Sequence, residues 1–306
     1  MAMTDSTHGP MADPMCGGTT GWHGFHDVVP VPLQVKAREG RMTLAGKPSV
    51  VVRDPTLLPL AERFVHDLGV ISRQATQARI VRHADPPGDI VLEIRRELAE
   101  EEYLVEVDRQ ATVRGGSYTG VSWGLATLLQ SVGVYHTQRF LACGRIQDAP
   151  YAGYRGLLVD MARHPHRLVT LKQLVILCWY YKIRYLHLHL TDVEAFTFPS
   201  RSFPELATAH NHLSLEDWRD LEAYAASRGV ILVPELDVPG HAYPGLRKLC
   251  PTRPRTGHAV LNPVNEHTFQ VLDTLVGEIC AVFPRSPYFH IGAEEVDYEG
   301  WRHCRD

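Results

Sequence analysis

The sequence predicts an α/β chain: a partial (β/α)8 TIM barrel, its first four βα units, preceded by a small α+β domain. Three observations predict it. From Tyr151 onward, apolar strand-like runs alternate four times with helical segments, as parallel βα units do. Carboxylates stand just past each of the four runs. Before Tyr151 the pattern is mixed, with short alternating runs around helical stretches.

Residues 1–25 are rich in Gly, Thr, Pro and Met without periodicity, and read as a disordered tail. Residues 26–150 make the small domain. Residues 50–52 and 89–94 are short β-type runs, residues 103–107 alternate apolar and polar, and residues 111–114 follow across a turn. Leu60, Phe64 and Leu68 fall at helical spacing within residues 57–68. Gly115 and Gly116 end the strand, and residues 120–132 read as an amphipathic helix. No acid, base or ligand cluster converges in this part of the chain.

Residues 151–306 carry the second pattern. Residues 154–160 form an apolar run ending in Asp160, and residues 170–181 are helical with Thr170 as N-cap. A strand over 183–190 leads to Asp192. Ser214 opens a helix with a Ser-x-x-Asp capping box, which ends near Arg228-Gly229. A strand over 230–233 runs into Glu235 and Asp237, a helix covers 265–283, and a strand over 288–291 leads to Glu294 and Glu295. In a (β/α) barrel the C-terminal strand ends open on one face, where catalysis sits. Carboxylates past all four strands therefore predict the mouth of an active site.

Composition excludes several classes. The 306 residues suggest about two domains. With 44% hydrophobic and 22% charged residues the chain resembles an ordinary globular protein. A net charge of −4 without long runs of one sign gives no footprint for nucleic acid or for an anionic membrane. The six cysteines form no CxxC pair, which argues against a zinc ribbon or redox motif and for free thiols in a reducing compartment. No run of about 20 apolar residues and no signal-peptide pattern is present, so the expected location is cytoplasmic.

The chemistry gathers in three motifs. In His290-Ile-Gly-Ala-Glu-Glu295, a Gly-Ala break lets the chain turn so that Glu294 and Glu295 can reach one pocket. Such a pair suits glycosidic cleavage, in which one protonated carboxyl serves the leaving oxygen and an anion supports charge at the sugar ring. The competing reading is a solvated loop. In Pro234-Glu-Leu-Asp-Val-Pro-Gly-His241, a Pro-Gly turn aims His241, which can tune nearby carboxylates or be an idle loop histidine. In His187-Leu-His-Leu-Thr-Asp192, His187 and His189 share one strand face, pointing into the barrel. They serve either as hydrogen-bonded packing or, in a metal-dependent hydrolase, as ligands.

The run Tyr154-Arg-Gly-Leu-Leu-Val-Asp160-Met-Ala-Arg-His164 resembles the first barrel strand of family 20 glycoside hydrolases. His187-Leu-His-Leu-Thr-Asp192 resembles their second strand, Val233-Pro-Glu-Leu-Asp-Val-Pro-Gly-His241 their third, and His290-Ile-Gly-Ala-Glu-Glu-Val296 their His-x-Gly-Gly-Asp-Glu-Val signature. Asn262-Pro263 sits where the family often carries such a pair, and the small domain is similar to the family's N-terminal accessory domain. The resemblance implies release of terminal β-linked N-acetylhexosamine by substrate-assisted, retaining hydrolysis, the family's exception to the two-carboxylate scheme. It implies Glu295 as general acid/base, Glu294 as the group that orients the acetamido substituent, and Arg155 as a binder of sugar hydroxyls. Asp192 and His241 would form a proton-tuning chain towards Glu295. The implied partner is an N-acetylhexosamine glycan, with no metal or organic cofactor.

Two departures qualify the match. Glu294 replaces the family's Asp, and one extra methylene moves the carboxylate by roughly 1–1.5 Å, a shift able to cost about a hundredfold in rate. The chain ends at Asp306, where an eight-unit barrel of about 250 residues would be half complete. The expectation is an aggregation-prone monomer or a homodimer covering the open barrel edges, with Trp301 as the first element of an aromatic pocket. A catalytically weak glycan-binding remnant is the alternative function. Arg155 poses a conflict, because it lies near the start of its strand and simple barrel geometry places it far from the mouth.

Overall fold

The computed structural model describes residues 24–44, 46, 48–72, 79–82, 89–135, 138–250 and 260–302. The expected tail over 1–25 lies outside them, save for Gly24 and Phe25 in a short 3-10 turn (Gly24–Asp27).

The first part of the chain builds one mixed eight-stranded sheet. In chain order its elements are β1 (Gln34–Leu44), β2 (Ser49–Val52), helix α1 (Leu58–Ser72), β3 (Arg79–Arg82), β4 (Ile90–Ile94), β5 (Tyr103–Val107), β6 (Ala111–Gly115), helix α2 (Tyr118–Gln130), β7 (Val132–Tyr135) and β8 (Gln138–Asp148). The strand order is β1-β8-β5-β6-β4-β2-β3, with β7 paired to β8. β5 and β6 alternate buried and half-buried residues, as strands covered more fully on one face do. Ser117 caps α2 by accepting the N–H groups of Thr119 and Gly120. Residues 120–129 of α2 are all buried, where a one-sided amphipathic helix was expected. The outer face is covered because α2 packs on β5 and β6 and also against a helix of the second part.

The second part follows the βα rhythm: β9 (Gly156–Asp160), α3 (Leu168–Tyr180), β10 (Tyr185–His189), α4 (Leu215–Ala226), β11 (Ile231–Glu235), α5 (Pro244–Leu249), α6 (Glu266–Val282) and the short α7 (Glu299–Arg302). Three parallel strands lie in the order β11-β10-β9, in register from Tyr185 opposite Gly156 and Ile231 to His189 opposite Asp160 and Glu235. Leu186, Leu188 and Leu190 are fully buried on the face covered by α3 and α4. The opposite face carries Leu158, His187, His189 and Glu235. Lower down, Tyr154 stacks on Tyr185 at 4.6 Å, and Tyr288 meets both edge-on at 5.8 and 5.5 Å. Tyr154, Leu158 and Tyr288 are each about half exposed, so this face is open.

Two expectations need correction. The fourth strand over 288–291 is reduced to one parallel bridge, Glu235 with His290. Three backbone bonds hold it: His290 N–H to Pro234 O, Leu236 N–H to His290 O and Val238 N–H to Ile291 O. Pairing stops there because Gly292 and Ala293 turn left-handed, at φ +65° each. Helix α3 starts at Leu168 with Arg167 as N-cap, not at Thr170. Among the described residues no helix is long and apolar enough to cross a membrane.

Candidate active site

Each site residue stands where its strand ends. Asp160 closes β9, and its Oδ1 accepts the N–H groups of Ala162 and Arg163, curling the chain over the strand end. That curl brings the Arg163 guanidinium 2.9 Å from Asp160 Oδ2, into contact with Asp192 and within 3.4 Å of His241 Nδ1. Asp192 is wholly buried after β10. Burial alone would raise its pKa, but the Val193 N–H, His189, Arg163 and His241 outweigh burial and hold the carboxyl below its usual range.

His241 joins the two halves of the site. The Val238-Pro239 peptide is cis, and His241 itself is left-handed at φ +49°. Its Nδ1 lies 3.3 Å from Asp192 Oδ1, and its Nε2 lies 3.3 Å from Glu295 Oε2. A proton on Nδ1 donated in a hydrogen bond to Asp192 leaves Nε2 as an acceptor facing Glu295. Gly240 permits this approach, since a Cβ there would fall 2.7 Å from the Glu294 carbonyl oxygen. Glu295 is also left-handed, at φ +47°, and its side chain is 80% exposed. Asp237, His241 and Glu294 each present an atom within 4.8 Å of the others.

Beneath this row runs a second one. Glu235 Oε2 lies 2.7 Å from His187 Nε2 and 3.2 Å from His189 Nδ1, while His189 Nε2 lies 3.1 Å from Asp192 Oδ2. Burial opposes a charge on His189, yet contacts with Glu235 and Asp192 prevail and raise its pKa to about 9. Burial likewise opposes the Glu235 anion, and His187 and His189 reverse that, holding it far below the ordinary carboxylate range. With a carboxylate facing each of its nitrogens, His189 bridges Glu235 and Asp192 as a hydrogen-bonded link. The arrangement is a continuous line, Glu235–His189–Asp192–His241–Glu295, ending at an exposed carboxyl.

The structure brings together four of the five residues singled out in the sequence: Asp192, His241, Glu294 and Glu295. It does not bring Arg155 to them. Arg155 precedes β9 and points to the opposite strand ends, donating to Lys182 O at 3.0 Å and Ala152 O at 2.7 Å and pairing with Glu101. The guanidinium at the mouth is Arg163, which sequence reasoning passed over. Its signal was available, because it lies three residues past the strand-ending Asp160 and Arg155 lies before the strand. Trp301 donates its Nε1–H to Leu261 O at 2.9 Å and meets the Tyr298 ring edge-on.

A sheet-and-helix domain followed by βα units, with a carboxylate–imidazole–carboxylate row at the strand ends, defines the class of βα proteins whose acid–base site opens at the strand mouth. Comparison with known proteins makes this specific. Residues 152–306 match the model of the glycosyl hydrolase family 20 catalytic domain, and residues 26–149 match domain 2 of the same family. The chain belongs to glycosyl hydrolase family 20. It is 32% identical over 247 residues to a β-hexosaminidase of Vibrio furnissii, covering 70% of this chain and 40% of the relative. A Porphyromonas gingivalis β-hexosaminidase is 26% identical over 91% of this chain and 40% of its own length. The crystal structure of an exo-β-N-acetylglucosaminidase from Vibrio harveyi, in complex with N-acetylglucosamine, superimposes with a TM-score of 0.81 at 27% identity, covering 91% of this chain and 48% of that one. The chain thus spans about 40% of the length of these curated relatives.

Proposed function

We propose that this chain carries the acid–base half of an exo-acting β-N-acetylhexosaminidase site, working by substrate-assisted, retaining hydrolysis of terminal N-acetylhexosamine. The observation that carries the reading is His241, set 3.3 Å from both Asp192 and Glu295. In this reading Glu295 protonates the leaving glycosidic oxygen and later takes a proton from water. The substrate's acetamido oxygen attacks the anomeric carbon, and Glu294 accepts the acetamido N–H. Asp192 holds His241 in one tautomer, so that Nε2 can pass a proton to or from Glu295. Arg163, 44% exposed and anchored by Asp160 and Asp192, is the donor for sugar hydroxyls in place of Arg155. Four βα units forming part of a barrel, with domains divided near residue 150, complete the architecture of this reading. It also takes a cytoplasmic location from the sequence. The half-exposed inner face carrying Leu158, Tyr154 and Tyr288 supports a homodimer that covers it.

The test is release of 4-nitrophenol from 4-nitrophenyl N-acetyl-β-D-glucosaminide. Turnover by the chain, lowered about a hundredfold or more in Glu295→Gln, is the expected result. Equal rates in both proteins remove the acid role. Glu294 in place of Asp, together with the 80% exposure of Glu295, favours a second reading: a glycan-binding protein with little turnover. Calorimetric binding of N-acetylglucosamine with no release of 4-nitrophenol selects it.

A further inference from the structure

We propose that Asp237 positions the acid turn, and that its carboxyl shares a proton with the carboxyl of Glu294. The consequence for turnover rests on the glycosidase reading, whereas the contacts do not. Asp237 is 1% exposed. Its backbone N–H donates to Thr191 Oγ1 at 3.0 Å, and its Oδ1 accepts the Ala293 N–H at 3.2 Å. The turn is moulded against this carboxyl: a Cβ on Gly292 would fall 1.8 Å from Oδ1. Asp237 therefore ties the loop after β11 to the left-handed pair Gly292-Ala293, which aims Glu294 and Glu295.

The second oxygen carries the inference further. Asp237 Oδ2 is buried and accepts no hydrogen bond among the described residues. A bare buried carboxylate oxygen is costly, and a proton there turns it into a donor in need of an acceptor. The groups that face Asp237 are Glu235 from β11, His189 from β10, Asp192 from the loop after β10, His241 from its own loop and Glu294 from the acid turn. Glu235 is engaged by His187 and His189. Asp192 accepts from Val193 and meets His189, Arg163 and His241. His241 has one nitrogen on Asp192 and the other on Glu295. Glu294, within 4.8 Å of Asp237, is the remaining acceptor among the described residues. Burial first, and the Glu235 anion second, raise the Asp237 pKa to about 6, against the pull of His189, His241 and the Ala293 N–H. A small rotation of the exposed Glu294 side chain closes the remaining gap, and two carboxyls brought to hydrogen-bond distance hold one proton more readily than none. The longer reach of Glu294 thus returns towards a donor that can hold its carboxyl in place beside the acid turn.

The experiment follows the Ala293 amide in 15N–1H spectra of the full chain between pH 4 and 8, assigned by its loss in Ala293→Gly. In the wild-type chain the resonance should move with a midpoint near pH 6. Asp237→Asn should abolish the movement, and its Nδ2–H2 should still donate to Glu294. Glu294→Gln should lower the midpoint by about one unit, since a neighbouring negative charge is gone. A wild-type amide that does not titrate between pH 5 and 7 overturns the proposal, as does a midpoint unmoved by Glu294→Gln. Assay of 4-nitrophenol release on the same samples separates the two claims: a titrating amide without turnover counts against the glycosidase reading alone.

Discussion

At the residue scale the acid turn depends on backbone conformations that most side chains resist. Ala293 sits at φ +65°, where a Cβ crowds the following carbonyl and costs about 1–2 kcal/mol. The family signature has Gly at this position. Ala293→Gly should therefore stabilise the protein by about 0.5–1 kcal/mol, after the extra unfolded-state freedom of Gly is deducted. A urea midpoint that rises with unchanged slope is the expected result, and a fall would mean that Ala293 is not left-handed. Single residues were legible where type and place agreed. Asp192, His241 and Glu295 each follow a strand and each carries transferable protons, so strand-end logic sufficed. Arg155 shows the limit: the motif suggested it, the strand direction contradicted it, and in the structure the direction prevails. Glu235 and His189 were harder, because an imidazole between two acids depends on the register of β10 against β11, which no local pattern contains.

Elements were legible in proportion to how local their causes are. The Ser214 capping box is present with both of its bonds, because four consecutive residues suffice to make it. The long strands β1 and β8 were not foreseen. Most of β1 is exposed, so it lacks the alternation that marks a half-buried strand, and its partner lies about a hundred residues away. Strand β10 supports a prediction at this scale. His189 has its folded pKa raised from 6.5 to about 9. The stabilisation from its charge is therefore complete below about pH 6.5 and fades as pH climbs through about 9. In His189→Gln that dependence should vanish, and the variant should be weaker by about 3 kcal/mol at pH 6.5, because Glu235 and Asp192 lose their shared counter-ion. Urea unfolding at pH 6.5 and 9.5 decides it. Wild-type stability should drop towards the variant's at the higher pH, and parallel losses would show that His189 is neutral throughout.

For the whole molecule, the question is what makes two sheets one body. A buried polar seam runs through the join, beside the apolar packing of α2 on α3. Arg228, 1% exposed in the connection from α4 to β11, grips Asp67 of α1 through two bonds of 2.6 and 3.0 Å. Its guanidinium also lies 4.9 Å from the Trp179 ring. Ser122 of α2 donates to Arg228 O at 2.6 Å and accepts from Trp179 Nε1 at 2.9 Å. This seam sits at the entry to β11, the strand that delivers Glu235 and, two residues on, Asp237. Asp67→Leu should cost about 3–5 kcal/mol, because it strands a buried guanidinium rather than because the pair itself is so strong. That distinction is testable. If desolvation is the cause, adding Arg228→Met to Asp67→Leu should recover most of the loss, since two apolar side chains of similar volume can pack where the ions met. If the double variant stays as unstable as the single one, the pair contributes through its geometry, and the entry angle of β11 depends on it. Ala293 amide exchange separates these outcomes at the site: protection should fall in Asp67→Leu and return in the double variant only if the seam acts through desolvation.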